Sequence, residues 1–166
     1  MKFILFLLCL VASYGTARSQ AFDGVSDDKL FLGYANLGGK SAIDFQYDRG
    51  LGDWISAGGQ VTYLFLPKKE GDPYTLPERA NLTVFCRVHF AGIFTMPSQF
   101  SPYAGIDLSV HTFGIHGGVK YNFSERWGVY AQAQQGLCRL WGDENIWGNF
   151  FDRKFGVSLG LTYNIF

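Results

Sequence analysis

The segment NLTVFCRVHF, Asn81 to Phe90, sorts its side chains by parity: Leu82, Val84, Cys86, Val88 and Phe90 share one phase, and Asn81, Thr83, Phe85, Arg87 and His89 the other. Successive side chains of a strand point to opposite faces, so the segment predicts a β-strand with one almost purely apolar face. The same period of two continues in both directions along the chain. Strands are predicted over 29–37, 41–48, 53–65, 81–91, 103–110, 113–123, 127–135 and 154–166, with no sustained apolar stripe at helical spacing. The expected fold is all-β, an eight-stranded antiparallel up-and-down barrel.

Which face looks outward follows from the polar phase. On the third strand Ile55, Ala57, Val61, Tyr63 and Phe65 oppose Ser56, Gly58, Gln60 and Thr62; on the last, Val157, Leu159, Leu161, Tyr163 and Ile165 oppose Ser158, Gly160 and Thr162. A water-facing surface carries roughly a quarter to a third charged residues. From the second strand to the seventh, the polar phases together hold only Asp44, Asp48, Arg87, Asp107 and Lys120. So sparse and nearly neutral a set suits the crowded lumen of a small barrel, where each charge needs a partner. Apolar side chains then face lipid, and the barrel is expected to be transmembrane. The rival is a soluble lipocalin-like binder with the faces reversed; Gly52-Asp53-Trp54 imitates that family's Gly-x-Trp but lies on the third strand, not the first. Only the first strand, Leu30 to Ala35, leaves its faces undeclared.

The connections point the same way. Arg49 to Gly52 and Ser124 to Arg126 read as tight turns, whereas Leu66 to Arg79 and Gly136 to Arg153 are long and polar. Both long loops join an odd strand to the next even one, so they share one end, as external loops do in outer-membrane barrels with short periplasmic turns. Gly92 to Ser101, at the other end, is longer than such a turn. Tyr47, Phe90, Tyr121, Phe123, Trp127 and Tyr163 gather at the periplasmic strand ends, and Tyr34, Tyr63, Phe65 and Phe113 at the opposite ends, which predicts two interfacial girdles. Trp141, Trp147, Phe150 and Phe151 make the last loop aromatic, as an external contact surface or as packing on the barrel rim.

The 166 residues are 48% hydrophobic and 17% aromatic, enough for one domain with a large apolar surface. Fourteen basic residues balance fourteen acidic ones, which excludes the electrostatic footprint of a nucleic-acid binder. Lys2, the apolar run Phe3 to Ala12 and the small residues Gly15 to Ala17 or Ser19 to Ala21 read as a cleaved export signal, residues 1–21, leaving 22–166 as the barrel. Cys9 leaves with the signal, and Leu8 before it argues against lipidation. Cys86 and Cys138 lie on an apolar strand and at the start of a polar loop, so no disulfide is expected, and no cysteine spacing suits a metal.

Four stretches carry a family likeness: Ser101 to Leu108 (SPYAGIDL), Gly117 to Phe123 (GGVKYNF), Arg126 to Ala131 (RWGVYA) and Gly156 to Phe166 (GVSLGLTYNIF). With these the mature chain resembles small outer-membrane barrels of the OmpX and OmpA transmembrane-domain type, particularly uncharacterised bacterial relatives. The resemblance implies location in the outer membrane of a Gram-negative cell, contact with the lipid bilayer, no cofactor, and a final strand that looks like the signal read by the outer-membrane insertion machinery. Phe166 falls on the opposite phase from Tyr163 and Ile165, whereas the usual signal keeps them in step. Wide porin-like conduction is not expected of eight strands.

Asp107, Ser109 and His111 rise on one inward phase toward the external rim, and some outer-membrane barrels are lipid-modifying enzymes with such residues there. They are the candidates for acyl transfer, although residues two apart on a strand stand about 6.6 Å apart and no oxyanion donor is identifiable. The plainer reading is a polar lumen network. With His111 and Thr112 at a hairpin tip, Val110 pairs with Phe113, Asp107 falls opposite His116, and Arg87 and Lys120 meet acids such as Asp44 across the lumen. That reading needs no catalysis and no metal. The preferred function is a structural outer-membrane barrel, or one acting through a ligand or protein at its 66–79 and 136–153 loops.

Overall fold

A computed structural model describes residues 20–25, 27–66, 76–91, 93–94, 96–140, 151 and 154–165. The eight strands are β1 (Asp28–Leu37), β2 (Lys40–Gly50), β3 (Ile55–Leu64), β4 (Ala80–His89), β5 (Phe100–Ser109), β6 (Thr112–Asn122), β7 (Trp127–Arg139) and β8 (Phe155–Ile165). Each pairs antiparallel with its neighbour in sequence, and β1 pairs with β8 from Asp28↔Ile165 to Leu37↔Gly156, which closes the barrel. Closure leaves no sheet edge to be satisfied by another chain. Strands begin and end so that both described ends of the chain share one end of the barrel, here the terminal end; the two longest connections, β3–β4 and β7–β8, lie at the opposite, loop end.

Local chemistry sets the turns. Gly38 and Gly39 both adopt left-handed φ, 55° and 82°, between the paired Leu37 and Lys40, the requirement of a two-residue hairpin whose twist matches its strands. Between β6 and β7 the register shifts at Phe113/Gly114, because Leu137 is an extra residue between Gly136 and Cys138. β7 accordingly runs on to Arg139, so residues 136–139 belong to a strand and not to the expected polar loop. Within the expected 66–79 loop, Leu76–Arg79 form a single helical turn, α1.

The faces sort as alternation predicts. Leu159 is 57% exposed and Val84 54%, while Arg87, Lys120 and Asp44 are fully buried inside the barrel. The undeclared first strand turns Lys29, Phe31 and Ala35 inward and Leu32 and Tyr34 outward; both phases are apolar because Phe31 fills the lumen. Close approaches make room for such rings. A Cβ at Gly118 would stand 2.7 Å from the Tyr103 hydroxyl, and one at Gly33 would strike that of Tyr130.

The terminal end is closed by the segment before β1. Ala21 N–H donates to Ser98 O at 2.7 Å, Asn122 Nδ2 donates to Gln20 O at 2.8 Å, and the Phe22 ring stacks on His89 at 3.8 Å. Gln20 and Ala21, at the expected end of the export signal, are thus bonded to the barrel; residues 1–19 lie outside the described residues. At the loop end Leu37, Ala42, Leu64, Leu66 and Phe151 form a small apolar cluster.

Candidate functional site

The lumen is organised around Arg87. Its Nε donates to His116 Nε2 at 2.9 Å, Nη1 to Asp48 Oδ2 at 3.1 Å, and Nη2 to Gln46 Oε1 and Gln132 Oε1 at 2.5 and 3.0 Å. The guanidinium lies 3.8 Å from the Phe85 ring centroid and 4.7 Å from that of Tyr103. A planar fork with fixed donors suits such a site, since one cation reaches β2, β6 and β7 at once. Because His116 Nε2 accepts from Arg87, its proton resides on Nδ1, the atom 2.7 Å from Asp107 Oδ1. That contact is close but lacks the alignment of a hydrogen bond.

Two expected pairings are corrected. β5 and β6 pair Asp107 with Gly114 and Leu108 with Phe113, so His116 lies opposite Gly105. The hairpin tip is wider by two residues than expected, and Asp107 meets His116 on the diagonal. Asp44, for its part, is not the acid that Arg87 or Lys120 contacts directly. It accepts from Gln46 and Gln60 at 2.7 and 2.8 Å, from Thr62 at 3.2 Å and from Tyr130 at 3.4 Å. The acid between the two cations is Asp48, 3.7 Å from Lys120 Nζ. Lys120 is flanked by the rings of Phe22, Phe31 and Tyr103 at 5.3–5.7 Å. Lys29 pairs with Asp27, and Ser56, His89 and Ser101 form a hydrogen-bonded row at 2.8 and 3.2 Å beneath Phe22.

Ser109 holds the β5–β6 turn. Its Oγ accepts from the His111 and Thr112 N–H groups at 3.1 and 2.8 Å and lies 3.0 Å from Thr112 O, to which it donates. Asp107 is directed to His116, and the His111 ring lies flat on Phe151, centroids 5.4 Å apart. The three candidates for acyl transfer are therefore brought to one end of the barrel, each set against a different neighbour. Burial holds the His111 ring below the ordinary histidine range, while burial and the neighbouring Asp27 charge raise the Asp23 carboxyl. A polar cavity of about 30 Å³ lies beside Asp107, Ser109, Thr112 and Gln134. That is space for a water or two, not for an organic ligand. Among the described residues no cluster of His, Cys, Asp or Glu has the composition of a metal site.

The aromatics expected at the membrane interfaces all lie on the outward phase. Tyr47, Phe123 and Trp127 are exposed, and Tyr63, Phe90, Tyr121 and Tyr163 half-buried, Trp127 meeting Tyr163 edge-on at 4.9 Å. Phe151 is buried in the loop-end cluster; Trp141, Trp147 and Phe150 lie outside the described residues. Cys86 and Cys138 are free thiols on the outer surface, Cys138 within β7.

A closed antiparallel barrel of eight strands, apolar outside and filled by paired charges within, defines the structural class. The chain belongs to the family described as a family of unknown function (DUF6646), which it matches over residues 13–165. No curated protein matches it in sequence. Its fold is similar to a structure from the de novo design of transmembrane beta-barrels, with TM-score 0.59 and 9% identity over 86% of this chain and 98% of that one. It is also similar to the N-terminal beta-barrel domain of Pseudomonas aeruginosa OprF, with TM-score 0.57 and 11% identity over 86% of this chain and all of that one.

Proposed function

We propose that the protein is an integral outer-membrane barrel with a side-chain-filled lumen, serving as a structural element or acting through its loops. The observation that carries this reading is the inverted partition: leucines, valines and isoleucines cover the outside while Arg87, Lys120, Asp44 and Asp48 are sealed within. In water each large aliphatic side chain left exposed forgoes about 1.5–3 kcal/mol, so the outer band requires a nonpolar surrounding. The packed lumen supports a non-conducting role. The bilayer is the first partner; the insertion machinery, reading β8, and an external ligand or protein at the 66–79 and 136–153 loops are the others.

Envelope fractionation with a heat-dependent gel shift tests the reading. A membrane barrel sediments with envelopes, needs detergent for release and migrates faster unheated. A protein recovered in the soluble fraction with no heat-dependent mobility would reject it.

A further inference from the structure

The β4–β5 connection, residues 90–99, is unlike the other two turns at the terminal end. Those expose charge, Asp53 in one and Glu125 and Arg126 in the other. From Phe90 to Ile106 the sequence has no charged residue at all. The chain turns here, the Ile93 and Phe94 N–H groups donating to Phe90 O at 3.1 and 3.0 Å. Positions separated by three and four share a face of such a turn, and the Phe90 and Phe94 rings meet at 6.2 Å. Phe94 is nevertheless 61% exposed and Ile93 45%. Beyond Phe94, the connection is joined to the barrel by Ala21 N–H to Ser98 O and Asn122 N–H to Gln99 O, at 2.7 and 2.9 Å.

We infer that this connection is a membrane hook, inserting Ile93 and Phe94 into the periplasmic leaflet of the same bilayer. The inference rests on the membrane reading above. Lipid is the occupant because the patch is continuous with the outward belt: Trp54 O accepts the His89 N–H at 2.7 Å, directly before Phe90, and Phe100 pairs with Tyr121. Aromatic and aliphatic side chains without charge, presented on a turn at a strand end, have the chemistry of interfacial anchors. Another sector of this rim presents the ion pair of Asp28 and Arg49, 3.8 Å apart, whereas the hook lengthens the apolar surface on the β4–β5 side.

Spin labels in phosphatidylcholine–phosphatidylglycerol vesicles test this. In a Cys86→Ala/Cys138→Ala background, Phe94→Cys, Ile93→Cys, Leu159→Cys and Glu125→Cys are labelled one at a time, with the heat-dependent gel shift verifying that each is folded. Collisional accessibility to oxygen relative to a nickel chelate reports depth. At 93 and 94 the ratio is expected to be several-fold above that at 125 and to approach that at 159. Labels at 93 and 94 as accessible to nickel as that at 125, with 159 still deep, would overturn the hook alone and point to a protein contact instead. A water-exposed label at 159 would overturn both the hook and the membrane reading.

Discussion

Arg87 Nη1 donates to Asp48 Oδ2 at 3.1 Å across the lumen, joining β4 to β2 over the intervening β3. Asp48 also stands 3.7 Å from Lys120 on β6, so one carboxylate answers two fully buried cations. Asp48→Asn therefore leaves both without their counter-charge. A loss of about 3–5 kcal/mol is expected, the cost of stranding a buried charge. Urea unfolding of the barrel in vesicles measures it, with exposed Asp53→Asn as the control that changes little.

Gly118 faces Tyr103 in the lumen. Gly118→Ala brings a Cβ within 2.7 Å of the Tyr103 hydroxyl and 2.5 Å of Ala131 O. Overpacking of this kind costs about 1–3 kcal/mol. Adding Tyr103→Phe removes the hydroxyl contact but leaves the Tyr103 ring carbon Cζ at 2.8 Å and Ala131 O in place, so only a small part of the loss is expected to return, read from the same unfolding midpoints.

Ser109 is a turn residue in this geometry. Ser109→Ala removes the acceptor for two backbone N–H groups, for an expected loss of about 1–2 kcal/mol. The acyl composition of envelope lipids is expected to be the same with either protein. A changed lipid profile with an unchanged unfolding midpoint would assign chemistry to the hydroxyl instead.

The loop-end cluster carries a pH dependence through His111. Burial lowers this ring from the ordinary value of 6.5, so below that pH the unfolded chain binds the proton more readily than the fold. Stability contributed at neutral pH is accordingly lost as the pH falls through the histidine range toward the lowered folded value. Asp23, whose carboxyl is raised, acts in the opposite sense at more acidic pH. Comparison of unfolding at pH 7.5 and 5.5 between the parent and His111→Gln isolates the histidine, and the variant is expected to show the shallower pH slope.

Much of this architecture is legible in the sequence, for a local reason. Alternation is a property of each strand alone, so the strands, their parity and the burial of Arg87 and Lys120 could be read from segments such as Asn81 to Phe90. β1 resisted because Phe31 is an apolar residue turned inward, and period-two sorting cannot assign a strand with two apolar phases. Leu137 was invisible for a different reason: an extra residue in β7 shows only against its partner β6.

Sequence by itself determined the number of strands, the faces of all but β1 and the sparse charge of the lumen, because these depend on side-chain chemistry at a spacing of two. Tertiary structure alone decided the partners. Asp44 and Asp48 are equivalent in phase and differ only in height and azimuth within the closed cylinder, which depend on the stagger between strands. That stagger sends Asp48 to Arg87 and Lys120, gives Asp44 its four neutral donors, and folds Phe22 over His89. A barrel's register is a relation between segments, and no single segment contains it.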